Sequence, residues 1–598
     1  MSPDLPPVVP SVTAELVGAL SPRLRKRLDA AVTKLLTRPA TRDGDTVRIA
    51  VDEGTDVVLH APGGAVTGVD AVRCGCLLAP DCLHRAAAAS AAPVADDAPA
   101  SGLADAPDVP DATAQATTGK PEVRPGGSAG ESGPETATTA QQDAARAVFD
   151  AAAAVLETGA DGAGAVLQAE LLHAAHTARL AGLPRASAAA VSVVTAVRAA
   201  RSADPGYRLT GLAGALADVL SVAHRLPHAT GPDLGELRGT VRRPYRPDGS
   251  VRLYGIFSEP VLTATGYAGA VTWTADADGR LFTVSDVAPG GASRASGAAD
   301  RTVRIGDTAL THRELSRAGL AVSGATVSPD GRLGAGAGVR AVRASGVAWR
   351  DDPLDRLWAV PAAEQVARAL GGARDLLFLE VTLTGTVRET AGDCLLADCE
   401  GVPLRLAGAH DDPALPCRDN LRLLAAARGS RLRIVARLVP GPYPRAQLLA
   451  IEHPAGPGAR VDLGLDRLQR ADLPPAAPVP PAAAAGTGDE APLHLLRRRV
   501  HQAVPGGRRV LALAGNAPGD AAGLRRLGLA TAAGLLEDLH DAAADRTRDH
   551  FGRLLPADRG RFARSWLAAA LYTGLVEEAL CAHAWGAVTG EEAAPART

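Results

Sequence analysis

The sequence predicts an α+β multidomain chain, and three observations carry that prediction. Its 598 residues, 46% hydrophobic and 22% charged, exceed what one core holds, since single cores stop growing near ~250–300 residues. Two stretches, 93–141 and 457–490, break the composition with Ala, Pro, Gly and acidic residues. Between them the hydrophobic period changes from helical to alternating. The expected organisation is a small N-terminal ββα module (1–92), a disordered acidic linker (93–141), a helical array (142–230), a β-rich domain (231–375), an OB-like barrel (376–456), a Pro/Ala-rich linker (457–490) and C-terminal helices (491–598).

Each element follows from a local signal. Ser11–Leu36 reads as one helix bearing Arg23, Arg25, Lys26, Arg27 and Lys34, with Arg38 just beyond it. Thr46–Val51 and Val57–His60 alternate as a hairpin, a further strand is expected over Gly68–Arg73, and Arg85–Ala92 is an alanine-rich helix. Residues 93–141 hold no aromatic, no Ile and one Leu, too little apolar surface to offset ordering entropy. Ala144–Leu156, Gly164–Leu180, Ala186–Ala200 and Leu209–Leu226 carry apolar residues at helical spacing. Strands are expected at Val251–Phe257, Gly269–Ala275 and Arg280–Asp286, with a plain turn at Asp276–Gly279. The order β-β-β-α-β-β follows from Leu377–Val387, Cys394–Asp398, Pro403–Leu406, a helix at Asp419–Ala427, Leu432–Leu438 and Gln447–Ile451, hence the OB-like barrel.

Composition also excludes function classes. The formal net charge is −3, and Lys occurs only at Lys26, Lys34 and Lys120, so nucleic acid would have to meet a local patch. No run approaches the ~18 apolar residues of a membrane span, and MSPDLPPVVP lacks the basic and apolar regions of a signal peptide. Seven cysteines in such a length are no secreted disulfide scaffold. The expectation is a cytoplasmic protein with reduced thiols and no membrane contact.

Three of those cysteines fall together. Residues 72–92 read VRCGCLLAPDCLHRAAAASAA, giving Cys74-x-Cys76 and Cys82-x-His84. Three thiolates and an imidazole complete the tetrahedral shell of Zn2+ and leave no open position, which makes the site structural rather than catalytic. On an extended chain Cys74 and Cys76 point to one side. Cys82 and His84 would be presented by the first turn of the helix. A C-x-C redox pair is the alternative, but it leaves His84 without a role. The hairpin, C-x-C, short loop and C-x-H leading into a helix resemble the SWIM-type zinc finger over about residues 45–92. The five-residue gap is at or below that family's short end, and Leu83 stands where a basic residue is common. The resemblance implies Cys74, Cys76, Cys82 and His84 as ligands, a DNA or protein partner, and an ATPase-linked complex as one setting. Few large apolar residues lie between Gly44 and Ala92, so folding of the module is expected to depend on the metal.

Other constellations do not assemble. Cys394 and Cys399 have opposite strand parity, so with Cys417 and His410 they read as buried thiols and an unrelated imidazole. Cys581-x-His583 lacks a partner pair, and Glu170, His173 and His176 lack the second E-x-x-H helix that an iron site needs. Gly334–Gly338 opens no βαβ unit, the loop after Val510–Gly515 has no G-K-[ST], and there is no G-x-S-x-G. Phe378 and Tyr443 are the barrel's only stacking candidates, and Arg431, Arg433 and Arg437 read as mixed surface charge. The expectation is a non-enzymatic, zinc-binding adaptor whose N-terminal module, on a flexible tether, meets a protein partner. A DNA-binding or DNA-repair accessory using the basic helix is the alternative. An enzyme assembled from distant positions in 237–455 is a third class.

Overall fold

Proline divides the N-terminal segment. Where one helix is expected over Ser11–Leu36, three form: Pro10–Gly18, Pro22–Arg25 and Leu28–Leu36. Pro22 has no N–H for a continuing ladder, so Ser21 is extended and the helix restarts. Arg25 reaches back to the Leu20 and Gly18 carbonyls and closes the first helix. In this computed structural model the described residues are 4–52, 54–95, 135–240, 246–263, 267–306, 308–334, 338–372, 374–389, 392–456, 458–474, 483–484, 493–513, 517–545, 547, 549–553, 555 and 557–587. Residues 96–134 of the expected acidic linker, and most of 475–492, lie outside them.

The hairpin forms as Thr46–Asp52 and Thr55–His60, flanked by Ala40–Asp43 and Val72–Cys74 in a four-stranded antiparallel sheet. Val47, Ile49 and Val51 alternate inward, as period-two burial requires. Ala40–Asp43 shows no such alternation because none of its side chains is fully buried. The helix Leu83–Ala91 packs over this sheet region and against Pro10–Gly18 and Leu28–Leu36. Their common core joins Leu16, Leu28, Leu35, Ile49, Leu59 and Val72. The module therefore has an apolar core beyond Gly44–Ala92, supplied by the preceding helices. It also does not stand apart on a tether, because Ala165 and Ala169 of the helical array lie in the same core.

The array consists of Thr139–Gly162, Ala165–Leu180, Pro184–Arg201, Leu209–Arg225 and Gly231–Arg238. His494–Ala512, Ala517–Arg526, Ala530–Ala544 and Arg559–Ala584 share its hydrophobic core. Thr139–Gly162 and His494–Ala512 cross with their backbones in close approach at Gly159 and Gly507, both of positive φ, +71° and +66°. A side chain at Gly159 would run into the Pro505 carbonyl. Trp566 seals the crossing, its Nε1 donating to the Val500 carbonyl at 3.0 Å.

The β-rich domain holds a five-stranded antiparallel sheet, in order Arg340–Ala344, Gly319–Val327, Arg246–Leu262, Tyr267–Ala275 and Leu281–Pro289. The turn at Asp276 is a plain one: its Oδ1 accepts from the Asp278 and Arg280 amides at 3.0 and 2.9 Å. Next, Leu376–Glu389, Gly392–Cys399, Val402–Gly408, Arg431–Leu438 and Arg445–Glu452 close into a five-stranded barrel, with helix Cys417–Leu424 between the third and fourth strands. The first strand pairs with both the second and the fourth, and the third pairs in parallel with the fifth. The first part of the expected Pro/Ala-rich linker is folded. Arg460–Asp462 adds a buried strand to the barrel, and Arg460 donates to the Gly255, Ile256 and Val347 carbonyls, locking barrel to sheet.

Candidate metal centre

The sheet and the short helix converge on the cysteine cluster. Cys74 ends the strand Val72–Cys74, paired with Val57, and the Gly75 amide donates to the Asp56 carbonyl. Leu77–Asp81 is an exposed loop, with Leu77 and Leu78 bare to solvent. The loop returns the chain to Cys82, whose extended backbone precedes the first residue of Leu83–Ala91. The five-residue gap is thus long enough to reverse direction. Arg85, one residue past the last ligand, is buried and donates to the Val72, Pro80 and Val69 carbonyls at 2.5, 2.6 and 2.5 Å. One guanidinium thereby ties the strand, the loop and the turn before the strand to the helix.

One ligand atom each from Cys74, Cys76, Cys82 and His84 all lie within 4.8 Å of one another. Tetrahedral zinc with arms near 2.3 Å to sulfur and 2.0–2.1 Å to nitrogen has edges of about 3.6–3.8 Å, and His84 Nδ1 stands 3.7 Å from Cys74 Sγ. The other imidazole nitrogen, Nε2, faces Asp52 Oδ2 at 3.7 Å, and Asp52 Oδ1 meets Lys34 Nζ at 3.4 Å. A carboxylate behind the distal nitrogen is the usual way a ligating histidine is oriented. Burial pushes the Cys74 thiol up to about 12 and raises Cys82. Burial also opposes charge on Cys76, but hydrogen bonds from the Leu78 amide and from the Cys74 and Cys82 thiols outweigh it and lower its pKa. The residues fit a cation that takes three thiolates and one nitrogen, displacing the remaining protons as it binds. Asp52 and Arg85 were not legible as parts of the site. From sequence Asp52 reads as part of the hairpin turn, whereas it ends the strand Thr46–Asp52, and Arg85 reads as the start of an alanine-rich helix.

Among the described residues, the other Cys, His, Asp and Glu side chains form no further cluster of this kind. Cys394, Cys399, Cys417 and Cys581 are buried free thiols. Cys394 lies 3.4 Å from Glu389, whereas Cys399 faces the barrel core, which Cys581 also packs against. Cys417 packs with Ala268, Ala295 and Leu415. Glu170, His173 and His176 line a shallow groove of about 670 Å³ beside Pro10–Gly18. The barrel arginines are paired: Arg431 with Glu380, Arg433 with Asp355 and Glu380, and Arg437 with Glu259 and Asp375. Phe378 is buried, and Tyr443 lies beneath the Arg405 guanidinium at 3.9 Å. Arg23, Lys26 and Arg27 remain exposed. Among the described residues, no helix is long and apolar enough to cross a membrane. No family model matches the chain, and comparison with curated proteins and with solved structures gives no significant match.

Proposed function

We propose that the chain is a non-enzymatic interaction protein whose N-terminal module is organised by a structural Cys3His zinc site. The observation that carries this reading is the convergence of Cys74, Cys76, Cys82 and His84 within 4.8 Å, with Asp52 behind the imidazole. A closed shell offers no position to a substrate, so the metal's role is to shape a surface. Its resemblance to SWIM-type fingers supports a macromolecular partner, and the exposed Leu77–Leu78 pair beside the ligands favours a protein. An ATPase-linked complex is the setting that the resemblance suggests. The strand order of the closed barrel supports an OB-like assignment, with its arginines neutralised by partners rather than offered to a nucleic acid.

Metal analysis of the purified full chain tests the site. Wild type is expected to carry about one zinc per chain, and the double variant Cys74→Ser/Cys82→Ser to lose it and become protease-sensitive in 40–92. Near-equimolar zinc in the double variant would overturn the assignment. A second reading, DNA binding, rests on exposed Arg23, Lys26 and Arg27. It requires a shift of labelled duplex that weakens steeply with salt, and absence of any shift at low salt removes it.

A further inference from the structure

The helix Leu83–Ala91 has nine residues, fewer than the ~12–15 at which a helix begins to hold by itself in water. Its buried face includes Ala86–Ala89, single methyl groups that give little packing each. Beyond that packing, polar anchors lie at its two ends. The N-terminal end carries Cys82 and His84. At the C-terminal end the Ala92 carbonyl accepts from Arg198 of the array, whose Nε also donates to Gln168 Oε1 at 3.1 Å. The adjoining helix Leu28–Leu36, packed along the same short helix, sends Asp29 to the array. Asp29 Oδ1 accepts from the Ala165 amide at 2.8 Å and stands 3.5 Å from Arg201.

We propose that metal occupancy at Cys74, Cys76, Cys82 and His84 is coupled to the docking of the N-terminal module on the helical array, with Leu83–Ala91 as the lever. This rests on the metal-binding reading above. A bound ion fixes the helix's first turn and holds Ala92 where Arg198 reaches it. Without the ion the first turn frays, and the contacts of Ala92 and Asp29 with the array weaken together. Coupling between two sites is reciprocal. Residues of the docking contact, about two to three helical turns from the ligands, therefore set part of the metal affinity.

The test uses the full chain. Zinc affinity is measured by competition with a chromophoric chelator for wild type, Asp29→Ala and Arg198→Gln, and hydrogen exchange is followed with zinc and after chelation. Both variants are expected to bind one zinc with about fivefold or greater loss of affinity. Chelation of wild type is expected to speed exchange at the start of Ala165–Leu180 while leaving Arg559–Ala584 unchanged. Asp29 is exposed, so its variant keeps the fold if Arg198→Gln does not. Unchanged affinity in Asp29→Ala, or exchange in 165–180 indifferent to chelation, overturns the coupling. Wild type that binds no zinc overturns the metal reading and the coupling with it. One zinc per chain without linkage overturns the coupling alone.

Discussion

His84 offers one nitrogen to the thiols and the other to Asp52, and that division of labour makes a single carboxylate testable. Asp52→Ala leaves all four ligands in place, so one zinc should still bind, with affinity about tenfold weaker by chelator competition. Arg85 is a harsher case. Arg85→Leu strips donors from three carbonyls at once. Val69 keeps the Val72 amide and Pro80 is exposed, but the buried Val72 carbonyl is left unmet at a cost of about 1–3 kcal/mol, so exchange across Val57–Cys74 should accelerate. Far from the metal, His312 is fully buried, with Nδ1 bonded to Thr272 Oγ1 at 2.7 Å. Burial lowers its pKa from 6.5 to about 4. A depressed folded pKa means that stability is complete above about pH 6.5 and is lost as pH falls through about 4, some ~3 kcal/mol in total. Urea unfolding of His312→Asn should show a shallower acid limb than wild type over that window.

Elements fail or succeed according to where their determinants lie. The four ligands were legible because they sit within eleven residues and their spacing alone specifies the chemistry. The helices of the array were legible in the same way, from local period. The strand Arg460–Asp462 was not: three residues with two charged side chains show no alternation, and their burial depends on carbonyls about 110 to 200 residues away. The kinked crossing at Gly159 and Gly507 was equally hidden, since a glycine in a helical run reads as a weak point rather than a contact. Gly159→Ala tests it. The positive φ and the Pro505 carbonyl leave no room for a methyl group, so a loss of about 3 kcal/mol or more is expected in thermal unfolding.

At the scale of the molecule, sequence distance and spatial distance diverge. Composition suggested beads on a string, but the N-terminal module shares its core with Ala165 and Ala169, and the last helices close over the array. Deleting 491–598 is therefore expected to leave residues 1–490 aggregated in sedimentation, because Thr139–Gly162 and Leu209–Arg225, which the deleted helices cover, would line an exposed apolar face. The same closure has a cost in time. Thr139–Gly162 leaves a ribosome about 330 residues before its partner His494–Ala512 is made. At ~5–20 residues per second, that is a wait on the order of 20–70 s. For that interval the nascent array carries an open apolar seam, the kind of surface that invites misassembly during synthesis.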